Sequence, residues 1–104
     1  MKNIFFVVLI SIGLCSGCSK DNTIITYTPS CSGAAKSYKT DVAPIIEASC
    51  SGCHQNYNTY SRLFGSRSSV RNMVVSRQMP QGSNLSATQK DAIVCWIDNG
   101  AANN

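Results

Sequence analysis

The chain has 104 residues, room for one small domain. Its formal charge of +4 is carried by no basic run, helix-turn-helix or finger pattern, which excludes a sequence-typical nucleic-acid binder. After the N-terminal apolar run, no segment is long or apolar enough to be a transmembrane helix.

Residues 1–17 read as a signal peptide. Lys2 supplies the positive start, and the run opening at Ile4-Phe5-Phe6-Val7-Val8-Leu9-Ile10 has the length of a signal core, too short for a membrane span. Cys15-Ser16-Gly17-Cys18 resembles a bacterial lipobox, with Cys15 where a leucine is usual. The resemblance makes Cys18 the lipidated first residue of an exported protein on the periplasmic side or outer membrane. Several acyl chains on one residue would anchor it stably. Ordinary secretion with cleavage near Gly17 is the plainer alternative. Residues 18–37 are then a lipidated N-terminus and a tether rich in Ser, Thr, Asn and Gly, with some strand character at Ile24–Thr28.

The domain spans 38–104. A helix is expected from about Asp41 to Ser49, with Asp41 as N-cap and Pro44 in the first turn. Val42, Ile45 and Ile46 form its apolar face. It leads into Cys50-Ser51-Gly52-Cys53-His54, which reads Cys-x-x-Cys-His, the attachment signature of a c-type haem. Two thiols at this spacing can add across the haem vinyl groups, and the next histidine can reach the iron. Competing readings are a thioredoxin-like pair, which wants a βαβ setting absent from this sequence, and a zinc site drawn from Cys31, Cys50, Cys53 and Cys95.

Gln55 to Tyr60 reads as a loop or single turn, and Gly65 leaves Ser61–Phe64 undecided. A helix is expected over about Ser68–Arg77, with Val70, Met73 and Val74 on one side. Met79-Pro80-Gln81-Gly82 is a loop. The last helix opens on a capping box, Ser86 with Gln89, preceded by Leu85; its apolar face holds Ile93, Trp96 and Ile97, and Gly100 closes it. Asn99–Asn104 reads as a frayed polar tail.

The remaining cysteines sort by elimination. Cys15 leaves with the signal, Cys18 takes lipid, and Cys50 and Cys53 take haem. Cys31 and Cys95 are left in a disulfide-permissive compartment and are expected to pair, with two free thiols as the alternative. The iron needs a second ligand, and His54 is the sole histidine. With Met1 removed, Met79 in its loop is favoured over Met73, which sits on a helix face where methionine usually packs; an open sixth position is the third option. Between Glu47 and Asp91 there is no acidic residue, while Arg62, Arg67, Arg71, Arg77 and Lys90 lie there. Most are expected to be solvated. Two sharper roles are pairing with haem propionates and steering an acidic redox partner.

An apolar helix, Cys50-x-x-Cys53-His54, Met79-Pro80 and a final helix with Trp96-Ile97 together resemble the class I monohaem cytochromes c. The small lipoprotein cytochromes of Bacteroidetes-type bacteria are the nearest in pattern. The resemblance implies an all-α fold wrapped around one covalent haem c. It gives thioethers at Cys50 and Cys53, and His54 and Met79 as iron ligands. The interval from His54 to Met79 is short for that family. Roughly 65 residues make a marginal core, so the haem is expected to act as a staple against which Ile45, Ile46, Val74, Met79, Ile93 and Trp96 pack, and the haem-free chain is expected to fold poorly. The expected function is single-electron transfer between redox proteins, by a carrier and not an enzyme. The alternatives are a gas or peroxide sensor or enzyme subunit with an open sixth position, and a docking subunit of a respiratory assembly.

Overall fold

The computed structural model describes residues 26–82 and 84–104. The segment read as a signal peptide, Cys18 and the first part of the expected tether lie outside the described residues. Every regular element among those described is helical.

The chain enters its first helical segment at Ser37, not at Asp41. A π-helical turn over Tyr38–Val42 precedes helix α1, Ala43–Ser49. The Ser37 carbonyl accepts from the amides of both Asp41 (3.0 Å) and Val42 (3.2 Å), and the Asp41 carboxylate reaches back to the Ser37 N–H at 2.7 Å. Asp41 is therefore a reciprocal partner of the cap rather than the cap itself. Pro44 explains the wide turn: it has no N–H to give to Thr40, so the preceding residues close on i→i+5 bonds.

Helix α2 is Tyr60–Gly65 and helix α3 is Arg67–Val75, with Ser66 serving as the end of one and the start of the other. On α3, Val70 and Val74 are buried one turn apart, as the apolar spacing requires. Met73, expected to pack on the same face, is 39% exposed. Helix α4, Ala87–Asp98, carries the capping box: the Gln89 amide donates to Ser86 Oγ (3.2 Å) and the Ser86 amide donates to Gln89 Oε1 (2.9 Å). Its far end is a Schellman turn, in which Gly100 (φ +103°) and Ala101 give their amides to Ile97 and Trp96.

Helix α4 is the spine. Ala92 to Trp96 are all buried, and α4 packs against α3 on one side and the Tyr38–Val42 turn on the other. Trp96 is 1% exposed and forms a three-ring cluster with Tyr38 (5.7 Å) and Tyr60 (6.3 Å), which also touch each other (5.2 Å), with its indole N–H donating to the Ala102 carbonyl at 2.9 Å. The C-terminal residues are not frayed. Tyr60 Oη donates to the Ala101 carbonyl, Lys39 N–H and Ser37 Oγ donate to the Asn104 carbonyl, and Tyr38 N–H donates to Asn104 Oδ1. The tail closes over the aromatic cluster because Trp96 needs a buried acceptor and Ser37 begins a helix whose first amides need one too.

Residues 26–32, read from sequence as tether, lie across the domain as an extended strap. Tyr27 N–H donates to the Val75 carbonyl at 2.7 Å, and Tyr27 Oη donates to Asp91 Oδ1 at 2.7 Å. The Ser30 N–H donates to the same carboxylate oxygen at 2.9 Å, and Cys31 is disulfide-bonded to Cys95 on α4. The Tyr27 hydroxyl, and then the Ser30 amide, hold the Asp91 carboxyl below the usual carboxylate range. The Asp98 carboxyl is held low by Arg71, whose guanidinium bonds it at 2.6 and 2.9 Å. Both carboxyls have folded-state pKa values below their unfolded ones. Their stabilisation is therefore complete above about pH 4 and is lost as pH falls through the lower folded values. The melting temperature should drop below about pH 4, and Asp91→Asn should shrink that drop; a pH profile identical to wild type would show that the strap contributes nothing there.

Candidate functional site

The Cys50–His54 segment is the unwinding end of α1. The Cys50 and Ser51 amides both donate to the Ile46 carbonyl at 2.9 Å, and Ser51 Oγ donates to the Glu47 carbonyl. The Cys50 carbonyl then accepts from Cys53 N–H (3.2 Å) and His54 N–H (2.8 Å), folding the pentapeptide into a tight turn. Gln55–Tyr57 follows as a short 3-10 turn, which lays the Tyr57 ring parallel to the His54 imidazole, with centroids 5.1 Å apart and 22° between planes. Tyr57 thus stacks against the one histidine.

This turn faces the end of α3 and the loop beyond it. A cavity of about 130 Å³ is lined by Cys50, His54, Tyr57, Val70, Met73, Val74, Met79, Pro80 and Leu85, with Ser69 at its edge. An adjoining lobe of about 240 Å³ is lined by Ser49, Cys50, Cys53, His54, Met79, Pro80 and Gln81. Cys50, His54, Met79 and Pro80 belong to both, so the two lobes form one cleft around them. No carboxylate is among the residues lining it. A larger polar cleft beside Glu47, Gln55 and Asn58 holds none of the cysteine, histidine or methionine side chains.

Cys50 and Cys53 are the free thiols among the described residues, Cys50 half-buried and Cys53 exposed. Burial pushes the Cys50 thiol pKa up, so it stays protonated at neutral pH. Cys31 and Cys95 are consumed by their mutual disulfide. Among the described residues, no three His, Cys, Asp or Glu side chains converge as a metal cage. The four-cysteine zinc arrangement is thereby ruled out by where the thiols lie.

Trp96 and Ile93 do not line the cleft. They are core residues of α4, as Ile46 is of α1, with Ile45 half-buried against that core, and of the apolar side chains expected around a haem only Val74 and Met79 line it. Tyr57, Val70 and Leu85 take the places assigned to the others. Val70 could have been found from its spacing with Val74. The role of Leu85, which precedes the α4 cap, and of Tyr57 had no local signal.

The acid-free stretch of sequence is not an acid-free face. Asp98 comes from α4 to pair with Arg71, and Arg67 is occupied with Phe64, its guanidinium 3.9 Å over the ring and donating to the Phe64 carbonyl at 2.7 Å. Arg62 donates to Asn56 Oδ1, and Lys90 lies 5.0 Å over the Tyr27 ring. Arg77 is exposed beside the Met79 loop.

The chain matches no family model, no curated protein and no solved structure.

The residues around the cleft suit a c-type haem. Two free thiols with two residues between them stand at its edge, an imidazole and a thioether share its walls, and the remaining lining is largely apolar.

Proposed function

We propose that this chain is a lipid-tethered, class I-type monohaem cytochrome c that passes single electrons between protein partners outside the cytoplasm. The observation that carries the reading is that Cys50, Cys53, His54 and Met79, four residues expected from sequence to hold a haem, border one apolar cleft. Bound there, a c-type haem supplies a one-electron iron couple.

The geometry supports a role for each of these residues. Cys50 and Cys53 would fasten the group through thioethers from the end of α1. His54, its ring stacked on Tyr57, would supply one iron ligand, and Met79 would offer a neutral thioether from the loop after α3. Val70, Val74 and Leu85 exclude water, which keeps the environment similar in both charge states and the reorganisation small. With no carboxylate lining the cleft and the sole histidine occupied, there is no positioned acid or base for bond chemistry. That favours a carrier over an enzyme. An acidic partner would meet Arg77, exposed beside the Met79 loop, before Arg62, Arg67 or Arg71, whose guanidinium groups already have partners within the domain.

Voltammetry and spectroscopy of the purified holoprotein test the reading. A reversible one-electron wave and a methionine–iron charge-transfer band are expected. Met79→Ala should abolish the band and lower the midpoint potential, because a methionine ligand raises it. Met73→Ala should leave both in place, although Met73 also borders the cleft. Ready carbon monoxide binding by the reduced wild type would instead indicate an open iron position and overturn the carrier.

A further inference from the structure

The loop bearing Met79 hangs from the last turn of α3 by few bonds. The Met73 carbonyl accepts both Gln78 N–H (3.0 Å) and Met79 N–H (3.2 Å), and Arg77 N–H donates to the Val74 carbonyl at 3.2 Å. This is a Schellman turn with arginine where glycine is favoured: Arg77 has φ +59°. A non-glycine residue in the left-handed region is strained. The turn that carries Met79 is therefore biased to relax unless something outside α3 holds it.

The strap is the outside contact. Val75 is the last residue of α3, and its carbonyl is one of those left without a partner inside the helix. Tyr27 N–H supplies one at 2.7 Å. The same residue is fixed to α4 through its hydroxyl, which donates to Asp91 and lies 3.1 Å from the Ala87 carbonyl. Ser30 N–H on Asp91 and the Cys31–Cys95 disulfide secure the strap three and four residues further on. One residue thus joins the buried spine of the domain to the end of the helix from which the Met79 loop departs.

We propose that Tyr27 is a positioning residue for Met79, referencing the loop to α4 through the Val75 carbonyl. The inference rests on the reading of Met79 as an iron ligand. It gives the segment before the domain an indirect hold, through the end of α3, on the ligand proposed for the iron's sixth position.

The test uses the full-length holoprotein with two substitutions. Tyr27→Pro removes both the N–H that bonds Val75 and the hydroxyl on Asp91. Tyr27→Ala keeps the N–H but removes the hydroxyl. In Tyr27→Pro, carbon monoxide should bind the reduced protein about tenfold faster than in wild type, with a weakened charge-transfer band. Hydrogen exchange of the Gln78 and Met79 amides should rise by a similar factor, while the Val94 amide in α4 is unchanged. Tyr27→Ala should move the same readouts in the same direction by a smaller factor. If either folded variant melts earlier yet keeps wild-type carbon monoxide kinetics and loop exchange, Tyr27 is merely structural and the proposal is wrong. If Tyr27→Pro does not fold, Tyr27→Ala decides alone. Failure of the underlying reading looks different: the wild type itself would lack the charge-transfer band, or Met79→Ala would retain it, and the positioning role would fall with it.

Discussion

Denatured in acid and organic solvent, the holoprotein should keep its red colour on the polypeptide, and Cys50→Ser with Cys53→Ser should release all of it. The expectation follows from the state of the two thiols. They are the free cysteines of the described chain, while the other described pair is already oxidised to a disulfide. A redox-active Cys-x-x-Cys pair would want a thiol with a depressed pKa in an electropositive, accessible pocket. Burial instead pushes the Cys50 thiol up, and the cleft beside it is apolar. A thiol in that setting is poorly suited to exchange. Each single serine variant should retain colour through its remaining thioether, at reduced yield, because the His54 and cleft contacts are untouched. Removing Cys31 and Cys95 together should leave the colour in place while loosening the strap. Pigment extracted intact from the wild type would mean that the cleft holds no covalent haem, and the electron-transfer reading would go with it.

The parts of the fold legible in the sequence are those written in short-range chemistry. Ser86 and Gln89 bond each other's backbone within one turn, Gly100 adopts the left-handed conformation that ends α4, and Val70 and Val74 share a face of α3. Cys50, Cys53 and His54 are close in space because they are close in sequence. What failed depended on partners outside the local pattern, near or far in sequence. Asp41 looks like a cap in isolation, but Ser37 caps the turn and Pro44 widens it. The tail looks frayed until Trp96, Tyr60 and Ser37 are seen to hold it. Met73 has the spacing of a packed residue, yet α3 turns it to the rim of the cleft. Periodicity says that Trp96 is buried without saying against what.

That last distinction makes a large and separable prediction. Trp96→Ala should destabilise the domain by about 3–5 kcal/mol, read as a fall in the denaturant midpoint. The residue is 1% exposed, touches two aromatic rings, and leaves the Ala102 carbonyl without its donor when removed. A small domain with a total stability near 5 kcal/mol would be largely unfolded by that change. Trp96→Phe keeps most of the ring volume and loses the N–H, so about 1–2 kcal/mol is expected. The informative comparison lies between stability and site. Trp96 is packed with Tyr38, Tyr60 and the C-terminal residues and does not line the cleft, whereas Val74 does. In the folded state, Trp96→Phe should therefore leave the haem spectrum and midpoint potential at wild-type values while shifting the melt. Val74→Ala, which opens the cleft wall, should alter both. If Trp96→Phe instead moved the potential with the melt unchanged, the tryptophan would belong to the haem wrapper, and the division between an aromatic core under the tail and a separate apolar cleft would be wrong.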